Sequence, residues 1–395
     1  MKIVKLEDFH THGGWENFSF LKITTDEGLV GWSEFNEARG RKGLTGVVHS
    51  VGESLIGEDP RNIARIEATL YAQTRSTTGG LQSHAMAAVI NACLDIKAKA
   101  LGIPVHELLG GAIRERLPVY WSHCGLFRAR YASLFGGKVI DKPPVRSLDD
   151  LKRLGQEVAA RGFRALKTNL VLFDSRGGRA HSPGFGRGTG HPELNISDEL
   201  TAALVDQLSA LREGAGPEVR IAVDLNFNYK PEGLRRLAKK VEPFNLLWLE
   251  MDLYEPDALH HIRQSTTTPI GSLEAIFGRR NLKPYLEAHS VDVAIIDVQW
   301  NGMTEALRMA SMADAYEVNV AAHISSGPLS TVIGAHFCSV IPNFRIMEID
   351  IEEVPWRSSL LTRPYVIDKG EFVLPSGPGW GTEIDEATVR AHPAQ

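Results

Sequence analysis

Two textures of apolar spacing divide the chain. Up to about residue 115, strands come first and helices follow. In "FLKITTDEGLVGWSEF" apolar and polar positions alternate on either side of Asp26-Glu27-Gly28, which predicts a hairpin, and "SHAMAAVINACLDIKAKALG" predicts a long apolar helix. Residues 1–115 therefore read as a small α+β domain. After "RERLPVYWSHCG" the texture becomes one of short apolar runs: "VYWSHC", "RALKTN", "RIAVDLN", "LLWLE", "PIGSLE", "VAIID", "VNVAAH" and "RIMEI". Amphipathic stretches separate them, among them "SLDDLKRLGQEVAARG", "SDELTAALVDQLSALREG", "EGLRRLAKKVE" and "GMTEALRMASMADAYE". Strands too apolar to face water on either side predict a parallel sheet covered by helices, and eight such units predict a closed, TIM-like α/β barrel over residues 116–355. An open doubly wound sheet is the alternative, but no run leads into the Gly-x-Gly-x-x-Gly turn of a dinucleotide site.

One of these runs sharpens the question of chemistry. "LLWLEMDL", residues 246–253, is apolar except for Glu250 and Asp252, and an unpaired carboxylate in such a strand costs several kcal/mol or is driven neutral. Glu250 is not alone. From the second run onward a polar residue falls at or near each C-terminal end: Lys167 and Asn169, Asp224 and Asn226, Glu250, Glu274, Asp297, His323, Glu348. From Asp224 the successive separations are 26, 24, 23, 26 and 25 residues, one strand-helix unit each. In a barrel all these ends lie on one face, where active sites form. Each acid alone could cap a helix or pair with a lysine. Three on adjacent strands would repel unless a cation neutralised them, and all-oxygen ligands favour Mg2+, with Mn2+ possible.

Composition narrows the setting. A chain of 395 residues, 43% hydrophobic and 23% charged, is an ordinary globular protein with room for a large domain and a smaller one. Its net charge of -5 and scattered Lys and Arg exclude a nucleic-acid footprint. Cys93, Cys124 and Cys338 fit neither a disulfide framework nor a zinc pattern and read as reduced core residues of a cytoplasmic protein. "MKIVKLEDFHTH" lacks the apolar run of a signal peptide, and no stretch is long and apolar enough for a membrane span.

The segments "GFRALKTN", "VDLN", "WLE", "PIGSLE", "IIDVQWNGMTEALRMASMADAYEVNVAAH" and "GPGWGTEID" together make the chain resemble, over nearly its full length, the mandelate racemase subgroup of the enolase superfamily. The resemblance implies an N-terminal capping domain, a (β/α)7β barrel, and a C-terminal segment, here 356–395, that returns to the cap. It implies that Asp224, Glu250 and Glu274 bind Mg2+, that His323 and Asp297 form a catalytic dyad, and that Glu348 lies near the substrate carboxylate. It also implies a homo-oligomer and α-proton abstraction from a carboxylate, with metal and nearby donors stabilising the developing enediolate.

Against that pattern the second strand departs. Where the family has Lys-x-Lys, this chain reads Lys167-Thr168-Asn169, and an amide exchanges no proton at neutral pH. Racemisation needs an acid or base on each face, so the substitution argues for a one-sided catalyst similar to sugar-acid dehydratases such as galactonate dehydratase. Those carry Asp-x-His on the third strand, where this chain has Asp224-Leu225-Asn226. The expected reaction is dehydration of a sugar acid to a 2-keto-3-deoxy acid. His323 would take the α-proton and return it to the β-hydroxyl, and Lys167 would bind the carboxylate. A racemase or epimerase, or a noncatalytic binding relative, is the alternative.

Specificity is expected from the cap stretches "HTHGGWENF" and "NEARGRKG", with His12, Trp15, Arg39 and Arg41 able to meet hydroxyls or a second anionic end. Asn169 and Asn226 are expected to join them in contacting substrate. The Gly-rich stretch "LFDSRGGRAHSPGFGRGTGHPELN" after the second strand reads as a flexible lid, in which His181 or His191 could supply a second acid.

Overall fold

The structure, a computed structural model, describes residues 1–38, 40–182 and 195–395. The chain begins with an antiparallel sheet of three strands, β1 (Ile3–His12), β2 (Asn17–Thr25) and β3 (Val30–Phe35), in that order. The β2–β3 hairpin is the predicted one. β1 is an addition: its charged residues Lys5, Glu7 and Asp8 obscure the alternation, because it is an edge strand with one side toward solvent. Since His12 pairs with Asn17, the expected loop "HTHGGWENF" shrinks to a tight connection between two strands. The long apolar helix, Gly80–Leu101, lies against β3. The approach is close enough that a Cβ on Gly31 would fall 2.1 Å from the Ala92 carbonyl oxygen.

All eight apolar runs are strands: β4 (Arg116–Trp121), β5 (Ala165–Asn169), β8 (Arg220–Asp224), β9 (Trp248–Glu250), β10 (Ile270–Ser272), β11 (Val293–Asp297), β12 (Asn319–His323) and β13 (Phe344–Ile349). They run parallel in that order, and β13 pairs back onto β4 to close the barrel, with Glu348 opposite Tyr120. The interior is filled by large Tyr120 and Trp248 against small Ala165, Ala222 and Ala321, all buried. The four predicted amphipathic stretches form the helices Leu148–Ala160, Asp198–Ala215, Pro231–Val241 and Met303–Ala315. Ser147 and Ser197 cap the first two by accepting from the main-chain N–H groups of Asp150 and Leu200.

The segment expected as a flexible lid begins instead as an ordered hairpin, β6 (Val171–Asp174) and β7 (Gly177–Ala180), with Val171 fully buried. Its remainder, with His191 in it, lies outside the described residues, as does Arg39.

After the barrel, β14 (Val366–Asp368) and β15 (Glu371–Val373) form a hairpin that pairs antiparallel with the start of β4. The chain then reaches the cap. Buried Trp380 donates its main-chain N–H to Asp95 Oδ1 at 3.0 Å and its indole N–H to the Trp32 carbonyl at 2.8 Å. The cap also grips the barrel loops directly: Glu34 accepts from the main-chain N–H groups of Gly327 and Ser330, and Asn91 from that of Met303. Cys93, Cys124 and Cys338 are buried and unpaired. Among the described residues no helix is long and apolar enough to cross a membrane.

Candidate active site

The carboxyl ends of the barrel strands bring the predicted polar residues to one mouth. Lys167, fully inside the second strand, points its ammonium at carboxylates from two sides of the ring: Glu250 Oε1 at 3.1 Å and Glu348 Oε1 at 3.0 Å, with Asp224 Oδ2 at 4.0 Å. Burial opposes its charge, but Glu250 and Glu348 outweigh burial and hold the pKa well above that of an ordinary lysine. Strand register sets the arrangement, since Asn169, Asp224 and Glu250 are direct neighbours across β5, β8 and β9. Glu348 is clamped by donors, accepting from Ser122 Oγ at 2.5 Å and from the Ile324 main-chain N–H at 2.7 Å. Burial would raise its pKa, yet Lys167 and His323 hold it below the usual carboxylate range.

His323 and Asp297 are register partners on β12 and β11, and His323 Nδ1 lies 2.6 Å from Asp297 Oδ2. Asp297 Oδ1 accepts from the Trp300 main-chain N–H, so the carboxylate is fixed at both oxygens. The other ring nitrogen of His323 faces Glu274 Oε2 at 3.3 Å. Burial lowers the pKa of His323, but Glu274 and Asp297 prevail and raise it to about 10.

The donor chemistry at this mouth suits a hard divalent cation. Burial pushes Glu250 well above and Glu274 up to about 8, and in both cases neighbouring acids add to the effect. Asp224, Glu250, Asp252, Glu274 and Glu348 together outnumber the cations Lys167 and His323 facing them. The expected ligands Asp224, Glu250 and Glu274 are nonetheless turned to protein partners: Asn226 Nδ2 clamps Asp224, Lys167 and the Trp248 indole N–H hold Glu250, and His323 faces Glu274. Among the described residues no three His, Cys, Asp or Glu side chains form a closed metal-holding group. Glu274 emerges from strain: Leu273 before it has φ +93°, and is held by donating its N–H to Asp252 Oδ1 at 2.9 Å.

Comparison with known proteins places this geometry. The family description "Enolase C-terminal domain-like" matches residues 150–388, and "Mandelate racemase / muconate lactonizing enzyme, N-terminal domain" matches residues 9–110. The chain belongs to the mandelate racemase/muconate lactonizing enzyme family of the enolase superfamily. It is 30% identical over 402 residues to the D-galactonate dehydratase of Ralstonia nicotianae, covering 98% of this chain and 94% of the relative. A crystal structure from Burkholderia xenovorans, provisionally described as an L-alanine-DL-glutamate epimerase, is 43% identical, with a TM-score of 0.96 over 100% of this chain and 99% of that one. The same protein bound to magnesium and fumarate matches with a TM-score of 0.95 at 43% identity, over 100% of this chain and 96% of that one.

Within this superfamily fold, the residues expected to contact substrate take different places. Arg41 stacks its guanidinium 5.2 Å from the Trp300 ring, which itself meets the His323 ring edge-on at 5.0 Å. Trp15 lies on Tyr131 at 5.4 Å and on Phe127 at 4.6 Å, beside the first barrel strand. His12, by contrast, packs against Trp356 at 6.1 Å and lines a cavity of about 270 Å³ with the C-terminal residues Ala391, His392 and Gln395. Its position at the end of β1 turns it toward that tail. Asn169 donates Nδ2–H to the Asp224 carbonyl, and Asn226 is spent on the Asp224 carboxylate. His181 donates its main-chain N–H to the Leu170 carbonyl, next to the hairpin.

Sequence reasoning misses four residues at this mouth. His123 and Ser122 follow the first strand, and Asp350 follows the eighth. His123 Nδ1 lies 2.7 Å from Asp350 Oδ1. The run "VYWSHC" carries a histidine next to its end with no acid in phase behind it, because its partner comes from the far end of the barrel sequence and meets it only through closure. Asp252 is the other omission, and its carboxylate holds both Ser272 Oγ and the Leu273 N–H.

Proposed function

We propose that the protein is a metal-dependent hydro-lyase that removes water from a sugar acid to give a 2-keto-3-deoxy acid. The observation that carries this reading is the fixed His323–Asp297 pair at the mouth, set against Lys167 held between two carboxylates and an amide, Asn169, where a second exchanging lysine would stand. The relatedness to D-galactonate dehydratase along 98% of the chain supports it.

In this mechanism the substrate carboxylate lies near Glu348 and Lys167, and the α-carbon presents its proton to His323 Nε2. Asp297 on Nδ1 fixes the ring orientation and supports the imidazolium that forms. Lys167 contributes positive charge where negative charge develops on the carboxylate oxygens. Asp224, Glu250 and Glu274 would hold Mg2+ or Mn2+, which supplies Lewis-acid stabilisation of the same charge. Glu274 faces His323 in the structure, so committing that carboxylate to a cation withdraws the largest support of the imidazolium and favours His323 as the neutral base.

The test is a panel of C5 and C6 aldonic and aldaric acids, D-galactonate first, incubated with purified protein and Mg2+. Release of a keto acid that forms a semicarbazone is expected from at least one. The second reading, epimerisation, is favoured by the similarity to the Burkholderia protein. It predicts solvent deuterium entering unreacted substrate with inversion and no keto acid.

A further inference from the structure

Two histidines at the barrel mouth are built on one plan. His323 carries Asp297 on Nδ1 at 2.6 Å, has the Trp300 ring at 5.0 Å, and is reached from the cap by Arg41 through that ring. His123 carries Asp350 on Nδ1 at 2.7 Å, is stacked face to face on Phe127 at 4.3 Å and 11°, and is reached from the cap by Trp15 through that ring. Asp350 is buried and the His123 side chain is 12% exposed, so this pair is part of the mouth wall. His323 ends the seventh strand and His123 follows the first, with the eighth between them. That strand brings Glu348, whose Oε2 accepts from Ile324, beside His323, and whose Oε1 accepts from Ser122, beside His123.

The backbone at His123 is unusual too. Its φ of +48° is left-handed, a conformation costly for most side chains and retained where the surroundings impose it. With Nδ1 committed to Asp350 and Ser122 Oγ, Nε2 is the ring nitrogen left without a hydrogen bond among the described residues.

We propose that His123, oriented by Asp350, is the general acid that protonates the departing β-hydroxyl, acting from the other flank of Glu348 to His323. The inference rests on the dehydratase reading and revises one part of it: His323 need not both take the α-proton and return it. In the step, His323 takes the proton from C2, the C2 electron pair becomes the C2–C3 double bond, and the C3–O bond breaks. His123 gives its Nε2 proton to that oxygen, which leaves as water. The enol then ketonises by taking a solvent proton at C3 and losing the proton of its C2 hydroxyl to solvent, while His323 sheds its proton to solvent and His123 regains one.

The experiment uses the full-length protein with Mg2+ and whichever panel acid the wild type dehydrates. Asn tolerates the left-handed backbone, so His123→Asn is the variant. It is expected to lower keto-acid release by about 10²–10⁴-fold, while still exchanging the α-hydrogen in D2O. It should also still eliminate fluoride from the 3-deoxy-3-fluoro analogue, since fluoride leaves without a proton. Full dehydration by His123→Asn overturns the inference and leaves the dehydratase reading intact. Loss of exchange and fluoride release together with dehydration also overturns it, by making His123 structural. If His123→Asn does not fold, Asp350→Asn is put through the same three measurements, with the same outcomes deciding. A wild type that releases keto acid from no panel member sinks the dehydratase reading and the acid role with it.

Discussion

Lys167 Nζ lies 3.0 Å from Glu348 Oε1, a contact that joins the second barrel strand to the eighth across the ring. Both groups are buried, and removing one partner of such a pair typically costs ~3–5 kcal/mol because the other charge is stranded. Lys167→Met should therefore lower stability by about that much in denaturant titration without metal. It should also reduce keto-acid release by at least about 10²-fold, as loss of an electrostatic stabiliser does. A variant of wild-type stability and activity would show that the ammonium serves neither end.

His323→Asn should abolish α-hydrogen exchange in D2O along with turnover, a loss of about 10²–10⁴-fold. Asp297→Asn should be impaired in both as well, and it should lose thermal stability, because Asp297 Oδ1 also caps the short helix Val298–Asn301. Removing such a cap costs about 0.5–2 kcal/mol. Exchange at the wild-type rate in His323→Asn would assign the base elsewhere.

Chelation should stop turnover, and Mg2+ or Mn2+ should restore it. Cation binding should also raise the melting temperature, since a ligand at 100 times its Kd adds about 2.7 kcal/mol. Glu250→Gln should weaken both effects. Undiminished turnover after exhaustive dialysis against EDTA would remove the metal from the reaction.

Acid should destabilise the protein through His336, on the helix Pro328–Val340. Burial, with His106 beside it, pushes its pKa down to about 3. The neutral ring is required, because Nδ1 accepts from the His106 main-chain N–H while Nε2 lies 3.2 Å from the Trp380 carbonyl. A folded pKa below the unfolded value means stability is full above about pH 6.5 and falls as pH drops toward 3. At about 1.4 kcal/mol per unit, the loss is at most about 5 kcal/mol. Chemical denaturation between pH 7 and 4 should show a shallower decline in His336→Gln; parallel curves would refute the assignment.

The barrel was legible because its strands are apolar on both faces and its polar ends recur once per unit. Asp297 and His323 fall one unit apart in that phase, the resemblance implied their pairing, and the register makes them neighbours. What escaped is what phase does not encode. β1 is masked by edge charges, and the hydrogen bond from Asn226 to the Asp224 carboxylate arises because their side chains leave the same strand end two residues apart. His12 turns to a tail that the hydrophobic pattern leaves unplaced. His123 and Asp350, 227 residues apart, meet only because the ring closes.

The hydrogen bond from Trp380 to Asp95 spans 285 residues, so the cap's central helix is made long before the group that completes it. Contacts of such separation pay loop-closure entropy before they return anything. The cylinder between them shortens that loop once it has formed. Assembly should then proceed from the middle outward, with the cap locked over the mouth as the last event. A late kinetic phase, reported by Trp380 fluorescence and simultaneous with the gain of turnover, would be its signature.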